Sequence, residues 1–505
     1  MIQSLQAYRA TPRPLGELVA GWVAVPPGLT VTDLTLDSRA AIPGTLFLAT
    51  RGRSHHGLAF APEAVRLGAR AVLYEPDDAQ AAPQLPPEVF AAPLAELTSR
   101  AGLIADRFFG APSQRITVAG ITGTNGKTTC AWLLAQALQR CHRQCGYMGT
   151  LGVGLPPQVS PMPHTTPDAV TVHRQMAALA AAGAECVSME VSSHALDQAR
   201  VNGVRFHTAA FTNLTRDHLD YHGTMEHYGA AKARLFAWPG LESRIINFDD
   251  PFGAALARAP SPARLILTTR AAVPLPPGAQ FVRATRVQPE STGLTIEVES
   301  SFGSVELSVR LMGEFNVENA LTVLAVLLAW NIPLREAARA LGKVRPARGR
   351  MEMFGGRGRS PLAIVDYAHT PDALANALRA ARLHCRGQLR LVFGCGGDRD
   401  AGKRPLMGRI AVELADDVLL TDDNPRSENP QRIVADIMAG IAAGAPLTIE
   451  HDRALAIRVA LQRSAPDDVV LIAGKGHEDY QIVGAERRVF RDQSVVADEL
   501  ARLPS

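Results

Sequence analysis

Lysine is almost absent from this chain. Of its 505 residues 52 are basic, and only five of those are lysines: Lys127, Lys232, Lys343, Lys403 and Lys475. A bias this strong replaces lysine by arginine wherever charge alone is needed. The survivors therefore mark chemistry that a guanidinium cannot do, because it neither loses a proton to become a nucleophile nor acts as a compact point charge. Four of the five fall in the motifs below, and Lys343 reads as a surface residue. Cysteine is scarce too: six in a chain this long make no disulfide framework. Cys141 and Cys145 have no second pair at zinc spacing and read as buried or idle thiols. Net charge is only +3, and no basic cluster gives a nucleic-acid footprint. The longest apolar-rich run, residues 320–330, falls short of the roughly 18 residues needed to span a bilayer. Met1-Ile2-Gln3-Ser4 lacks a basic region followed by an apolar one, so a cytoplasmic protein with no membrane insertion is expected. With 47% hydrophobic and 20% charged residues, the chain has enough apolar material to exclude global disorder.

Length and punctuation predict three α/β domains. An Ala/Pro-rich stretch at 76–93, a helical pattern at 94–109 and the break Gly110-Ala111-Pro112-Ser113 place the first boundary near 110. Pro346-Ala347-Arg348-Gly349-Arg350, after helical patterns at 317–330 and 333–341, places the second. The parts are thus 1–110, 111–345 and 346–505. In the last, apolar strand candidates at 362–366, 389–393, 417–420 and 469–472 alternate with helix patterns at 371–383, 403–414 and 430–440. That alternation predicts βαβ units around a mainly parallel sheet of Rossmann-like type.

The strongest chemical signal is Gly123-Thr124-Asn125-Gly126-Lys127-Thr128-Thr129, between a β-branched run at 115–121 and a helical pattern at 128–140. Glycines admit backbone N–H groups close to phosphates, Lys127 reaches the terminal phosphates, and Thr128 offers a hydroxyl to Mg²⁺. The spacing departs from the general P-loop, since Ile121 stands five before Gly126 and the glycine is one earlier, at Gly120. Met189-Glu190-Val191-Ser192-Ser193-His194 and Thr212-Asn213-Leu214-Thr215-Arg216-Asp217-His218 follow two further β-like stretches. Glu190 and His218 thus lie at strand ends, where α/β sheets bind ligands, and with the P-loop they form a candidate two-Mg²⁺ set.

These motifs, together with Asp366-Tyr367-Ala368-His369-Thr370-Pro371, resemble the ATP-dependent Mur ligase family of peptidoglycan precursor synthesis, in order and along the whole chain. Leu36-Asp37-Ser38-Arg39 and Asp423-Asn424-Pro425-Arg426 resemble the branch that adds the third peptide residue. The resemblance implies an N-terminal UDP-substrate domain, a central P-loop ATPase-type domain and a C-terminal amino-acid domain. It makes Lys232 a carbamylated lysine holding a second Mg²⁺, in keeping with its survival as lysine, and assigns ATP contacts to Asn316, Arg350 and Asp366. For the UDP-sugar dipeptide it points to Leu36, Ser38, Arg53, Ser54, His55, His164, Thr165, Thr166, Ser192, Gln198 and Arg200. His164 departs from the asparagine common in the family, and Ser38-Arg39 can also be read as a turn cap.

The implied substrates are UDP-N-acetylmuramoyl-L-alanyl-D-glutamate (UDP-MurNAc-L-Ala-D-Glu), ATP with Mg²⁺, and meso-diaminopimelate, handled by a cytoplasmic monomer. Diaminopimelate carries a carboxylate and an ammonium on its far end, where lysine carries an ammonium alone. A selective site needs a cation there, and a bidentate guanidinium suits. Arg426 takes that role, with Arg399 as a second cation by resemblance, while Gly474 and Glu478 accept the ammonium. Three other readings stay open: a lysine-adding ligase, a folylpolyglutamate-type ligase without the first 110 residues, and a P-loop switch ATPase that does not ligate.

Overall fold

The computed structural model describes the chain except residues 1–7, 9, 53–54, 78–83, 291–292, 357, 359, 443 and 503–505, and the side chain of Asp220. Two compact units result, residues 1–282 with 322–333, and residues 283–321 with 334–505.

The first unit holds two main sheets and a two-stranded antiparallel pair, Arg13–Pro14 with Thr30–Val31. Four short parallel strands, Asp33–Thr35, Thr45–Ala49, Ala71–Tyr74 and Phe90–Pro93, lie in chain order. Helix Leu97–Phe108 covers them, and its buried Leu97, Ala101, Ile104, Ala105 and Phe108 recur at helical spacing. Helix Ala169–Ala181 joins this layer to the larger sheet: Ala169, Val170 and Ala177 enter the same core, and Arg174 pairs with Asp33 at 2.9 Å and donates to the Leu34 carbonyl at 2.7 Å.

Eight strands of the larger sheet belong to this unit, in the order Gln158–Ser160, Gly152–Leu155, Cys145–Gly149, Cys186–Glu190, Thr117–Thr122, Thr208–Phe211, Ser243–Asn247 and Arg264–Thr269. The first three pair antiparallel and the rest parallel. Later strands are laid on both sides of Thr117–Thr122, so the connections leave that strand in opposite directions. Such a reversal opens a crevice at the carboxyl ends of the strands, where α/β sheets bind ligands. The loop from Gly123 to Gly126 lies there.

In the second unit, strands Gly293–Ser300 and Gly303–Val309 form an antiparallel pair. The C-terminal sheet runs Glu352–Gly355, Leu362–Asp366, Val469–Ala473, Leu389–Phe393, Asp417–Leu420 and Leu447–Ile449, parallel except for its first strand. Its inner strands are rich in apolar residues because both faces are covered, one by helices Pro371–Arg382, Lys403–Leu414 and Pro430–Met438, the other by Arg453–Gln462 and Asp492–Leu500. Pro371 in the first turn and the Thr370 side chain, which accepts from the Ala373 N–H at 3.3 Å, start the first of these helices. The carboxyl ends of the strands at 366, 393, 420 and 473 carry Asp366, Gly394 to Arg399, Asp423 to Arg426 and Gly474 to Glu478.

Candidate functional site

The first cluster is built on the strand ends of the first unit. Helix Lys127–Arg140 begins immediately after Gly126, whose φ of 84° is left-handed and open to glycine without strain. Lys127 Nζ folds back on the carbonyls of Gly123 and Thr124, at 2.9 and 2.8 Å. The neighbouring strand steadies the loop: the Thr124 N–H donates to the Asn213 carbonyl at 2.8 Å, the Asn125 N–H to the Asn213 Oδ1 at 2.9 Å, and Thr212 Oγ1 to the Asn125 carbonyl at 2.6 Å.

Glu190 ends the adjacent strand and is completely buried. A carboxylate in that position must be fully hydrogen-bonded to be tolerated. Its Oε2 accepts from Thr128 Oγ1 at 2.8 Å and Thr150 Oγ1 at 3.2 Å; its Oε1 accepts from Tyr147 Oη at 2.6 Å and the Thr150 N–H at 2.8 Å. Thr128 and Glu190, named separately by the sequence, thus share one hydrogen bond at the mouth of the P-loop. Tyr147 and Thr150 were missed, and their only sequence signal is a tyrosine and a threonine flanking a Gly-rich turn.

Lys232 is 1% exposed, in helix Met225–Ala233, with Nζ donating to the Gly123 carbonyl at 2.8 Å and lying 4.4 Å from the Tyr228 ring centre. Burial and then the nearby Lys127 charge hold this amine well below the ordinary lysine range, against a smaller pull from Asp217. A neutral amine is the form that can attack an electrophile. His218 lies at φ 53°, with its ring 4.9 Å from His194 and 6.0 Å from Tyr228, the same ring that Lys232 approaches. Among the described residues, no three His, Cys, Asp or Glu side chains group closely enough to hold a metal ion. Side-chain oxygens of Thr128 and Glu190 meet next to the P-loop.

Beside Glu190, the residues implied for the sugar dipeptide form one network. Thr166 Oγ1 donates to the Glu190 carbonyl at 2.8 Å and accepts from the Ser192 N–H at 3.1 Å. Arg200 donates to the Thr166 carbonyl at 3.0 Å and to Gln198 Oε1 at 3.0 and 2.6 Å, and Gln198 donates to Tyr221 Oη at 2.9 Å. Thr165 meets Thr150 at 3.0 Å, while His164 is exposed. In the N-terminal layer, Asp37 is the cap of the turn Ser38–Ala40, and Ser38 donates instead to Glu63 at 2.6 Å. Leu36 is half-buried and His55 exposed; Arg53 and Ser54 lie outside the described residues.

The second cluster belongs to the second unit. Asp366 accepts from the N–H groups of Met351 and Ala368 at 2.7 and 2.8 Å; burial raises its carboxyl above the usual range, and the Arg350 charge opposes that. Arg350 lies 5.0 Å from the Tyr367 ring centre. Asn316 is buried, bonded to the Met312 carbonyl at 2.7 Å and to Asn319 at 2.8 Å.

Asp423, Asn424 and Pro425 are buried and Arg426 half-buried, with Arg426 at φ 53°, a left-handed conformation that costs a non-glycine residue about 1–2 kcal/mol. Its guanidinium donates to the Gly397 carbonyl at 2.7 Å, and its Nη1 and the exposed Arg399 both border Gly396. Asn424 Nδ2 donates to Asp423 Oδ1 at 2.9 Å and to Glu478 Oε2 at 2.8 Å, and the Gly474 N–H to the Asp366 carbonyl at 3.1 Å.

His477 packs on Tyr367 and is held down to about 4 by burial, reinforced by the Arg350 charge. Its folded value lies below the unfolded one of about 6.5, so as pH falls the unfolded chain takes up the proton first, and stability is lost between about pH 6.5 and 4. The full loss is about 3 kcal/mol. The thermal midpoint of His477→Gln should fall less between pH 7 and pH 5 than that of the unaltered protein; equal falls would assign the acid sensitivity to other groups.

Three family descriptions match this chain: "Mur ligase family, catalytic domain" at residues 30–104, "Mur ligase middle domain" at 121–327, and "Mur ligase, glutamate ligase domain" at 349–476. The UDP-N-acetylmuramoyl-L-alanyl-D-glutamate–2,6-diaminopimelate ligase of Ectopseudomonas mendocina is 45% identical over 490 residues, 97% of this chain and 98% of its own. That of Alkalilimnicola ehrlichii is 48% identical over 478 residues, 93% and 95% of the two chains. Among solved structures, a UDP-N-acetylmuramoyl-L-alanyl-D-glutamate–2,6-diaminopimelate ligase superposes with a TM-score of 0.73 at 33% identity over 97% of this chain and 99% of that one. Mycobacterium tuberculosis folylpolyglutamate synthase, solved with ADP and AMPPCP, shares the fold at a TM-score of 0.54 and 18% identity, covering 79% of this chain and 93% of its own.

Proposed function

Because this chain belongs to the Mur ligase family, we propose that it joins meso-diaminopimelate to the D-glutamyl carboxylate of UDP-N-acetylmuramoyl-L-alanyl-D-glutamate at the expense of ATP. The observation that carries the reading is the 45–48% identity to diaminopimelate-adding ligases over nearly the whole chain. The Asp423-Asn424-Pro425-Arg426 turn, held in an unfavourable backbone conformation at a sheet's carboxyl edge, supports it.

In this reading the division of labour follows the three parts 1–110, 111–345 and 346–505. The first and the Thr165 to Arg200 network hold the UDP-sugar dipeptide; the loop from Gly123 to Thr129 with Asn316, Arg350 and Asp366 holds ATP; and Arg399, Arg426, Gly474 and Glu478 hold diaminopimelate. The donor set fits Mg²⁺, since Thr128 Oγ1 and a Glu190 oxygen meet beside the P-loop, with His218 and Lys232 as further ligands. When bound, Mg²⁺ neutralises charge developing on the phosphates. The buried Lys232 amine, held well below the ordinary lysine range, is suited to add CO₂ in its neutral form, releasing a proton and leaving a carbamate that offers oxygens where an ammonium could not.

The chemistry runs in two displacements. The D-glutamyl γ-carboxylate attacks the γ-phosphorus of ATP, ADP leaves, and an acyl phosphate forms; in this reading the loop from Gly123 to Thr129, with Lys127 turned from the loop carbonyls to the phosphates, stabilises the transferring phosphoryl group. The neutral amine of diaminopimelate then attacks the acyl carbon, phosphate leaves, the nitrogen loses a proton, and an amide results. The reading is of a monomer working in the cytoplasm, where nucleotide substrates are found. No helix among the described residues is long and apolar enough to cross a membrane.

The test is phosphate release from ATP with Mg²⁺ and the UDP-sugar dipeptide, run with meso-diaminopimelate, with L-lysine and with no amine. Release with diaminopimelate alone is expected. Release with lysine to the same extent would make it a lysine-adding ligase, and release without amine a hydrolysing ATPase.

A further inference from the structure

Lys475 is the most completely buried lysine of the chain, at 0% exposure, and the ligation mechanism gives it no task. It sits at the end of strand Val469–Ala473, and its ammonium donates to Asn424 Oδ1 at 3.1 Å and Glu478 Oε2 at 2.9 Å and lies 3.8 Å from Asp423 Oδ1. Glu478 is the carboxylate of the amino-acid site proposed above, and Asp423 and Asn424 belong to the turn that carries Arg426. Asn424 is fixed at both ends, since its Oδ1 also accepts from the Ile482 N–H at 3.0 Å, while its amide nitrogen bridges Asp423 and Glu478. One lysine therefore sets the positions of the carboxylate that is to meet the incoming ammonium and of the turn that carries Arg426.

Charge counting gives Lys475 a second consequence. Behind the cluster, Arg453 and Asp492 are both fully buried and pair at 2.7 Å, which contributes no net charge. Asp423 and Glu478 carry two negative charges, and Lys475 offsets one, leaving one. The half-buried Arg426 guanidinium brings this lining to zero; Arg399, which also borders Gly396, is exposed to water and stands outside the count. A lining of zero charge with separated negative and positive halves matches a far end that carries one ammonium and one carboxylate. Without Lys475 the lining has an excess negative charge, which favours a far end bearing an ammonium alone. Burial already raises the Asp423 carboxyl above its usual range, with Arg453 and Lys475 acting to keep it ionised. Arginine cannot replace this ammonium without displacing its neighbours, because the cavity is filled by the two carboxylates and the Asn424 amide.

We propose that Lys475 is a positioning and specificity-determining residue: by offsetting one of two buried carboxylates it makes the site select an amine with a zwitterionic far end over one with a cationic far end. The inference rests on the diaminopimelate-ligase reading.

The experiment measures kcat/KM for meso-diaminopimelate and for L-lysine with the full chain, ATP, Mg²⁺ and the UDP-sugar dipeptide. Lys475→Met should reduce the diaminopimelate-to-lysine ratio at least tenfold. Lys475→Arg, which keeps the charge, should lower both values while keeping the ratio. Lys475→Met combined with Glu478→Gln restores the charge count and should recover the ratio. Glu478→Gln alone adds net positive charge and should raise it, so the question is decided even if Lys475→Met does not fold. A merely structural lysine would lower both amines by the same factor in Lys475→Met and leave the ratio unmoved in Glu478→Gln; that result overturns the inference. Failure of the unaltered protein to ligate either amine would instead overturn the reading on which the inference rests.

Discussion

Lys232→Ala should lower kcat for ligation by roughly 10²–10³-fold, the scale of removing one group that stabilises developing charge in an enclosed site. Acetate or propionate at high concentration should restore part of the loss. The reasoning starts from burial. Burial to 1% exposure and the nearby Lys127 charge both press this amine towards its neutral form, so as a plain lysine it is poorly suited to add positive charge to the phosphate site. Its Nζ donates to the Gly123 carbonyl, a contact that water could serve equally well. Carbamylation converts this neutral group into an anion with two oxygens, and a small carboxylate diffusing into the space left by alanine supplies the same atoms. Lys232→Arg separates the alternatives. If the side chain served as a cation, arginine would retain activity; if it must first take up CO₂, arginine is as inactive as alanine, and a carboxylate rescues it less because the guanidinium still fills the space. Full activity in Lys232→Ala would remove Lys232 from the mechanism.

The sequence carried much of this architecture, for local reasons. Strands at 362–366, 389–393 and 417–420 were legible to the residue, because each is a short apolar run buried on both faces and bounded by polar residues. Helix Lys403–Leu414 matched as well, whereas the helix expected at 94–109 starts at Leu97, after Glu96 in a left-handed conformation. Strand Asp33–Thr35 is too short to show a period. The P-loop and the Asp423 to Arg426 turn were legible because their chemistry is contiguous in the chain. The surroundings of Glu190 were not: Tyr147, Thr150 and Thr166 reach it from 43, 40 and 24 residues away, through contacts that exist only once the strands are side by side. Lys475 lies between these cases. Its rarity marked it, but only the packing shows that it lies against two carboxylates, Glu478 and Asp423.

Arg426→Ala should raise KM for meso-diaminopimelate by about 2–4 kcal/mol equivalent, roughly 30- to 1000-fold, the scale for unpairing a buried charge-assisted contact. The KM for ATP should stay unchanged. In this structure the guanidinium rests on the Gly397 carbonyl, a neutral acceptor that leaves its charge available to a substrate carboxylate. The backbone at φ 53° keeps it there at a cost glycine would not incur, so the position tolerates strain in order to present this side chain. That gives an internal control. Arg426→Gly removes the same cation but relieves the backbone, so it should be at least as stable as Arg426→Ala in thermal unfolding while losing as much affinity for diaminopimelate. With L-lysine, which has no far carboxylate, neither substitution should weaken binding further. An unchanged KM for diaminopimelate in both variants would move recognition of the carboxylate to Arg399, the other cation bordering Gly396, and Arg399→Ala would then be the variant that loses affinity.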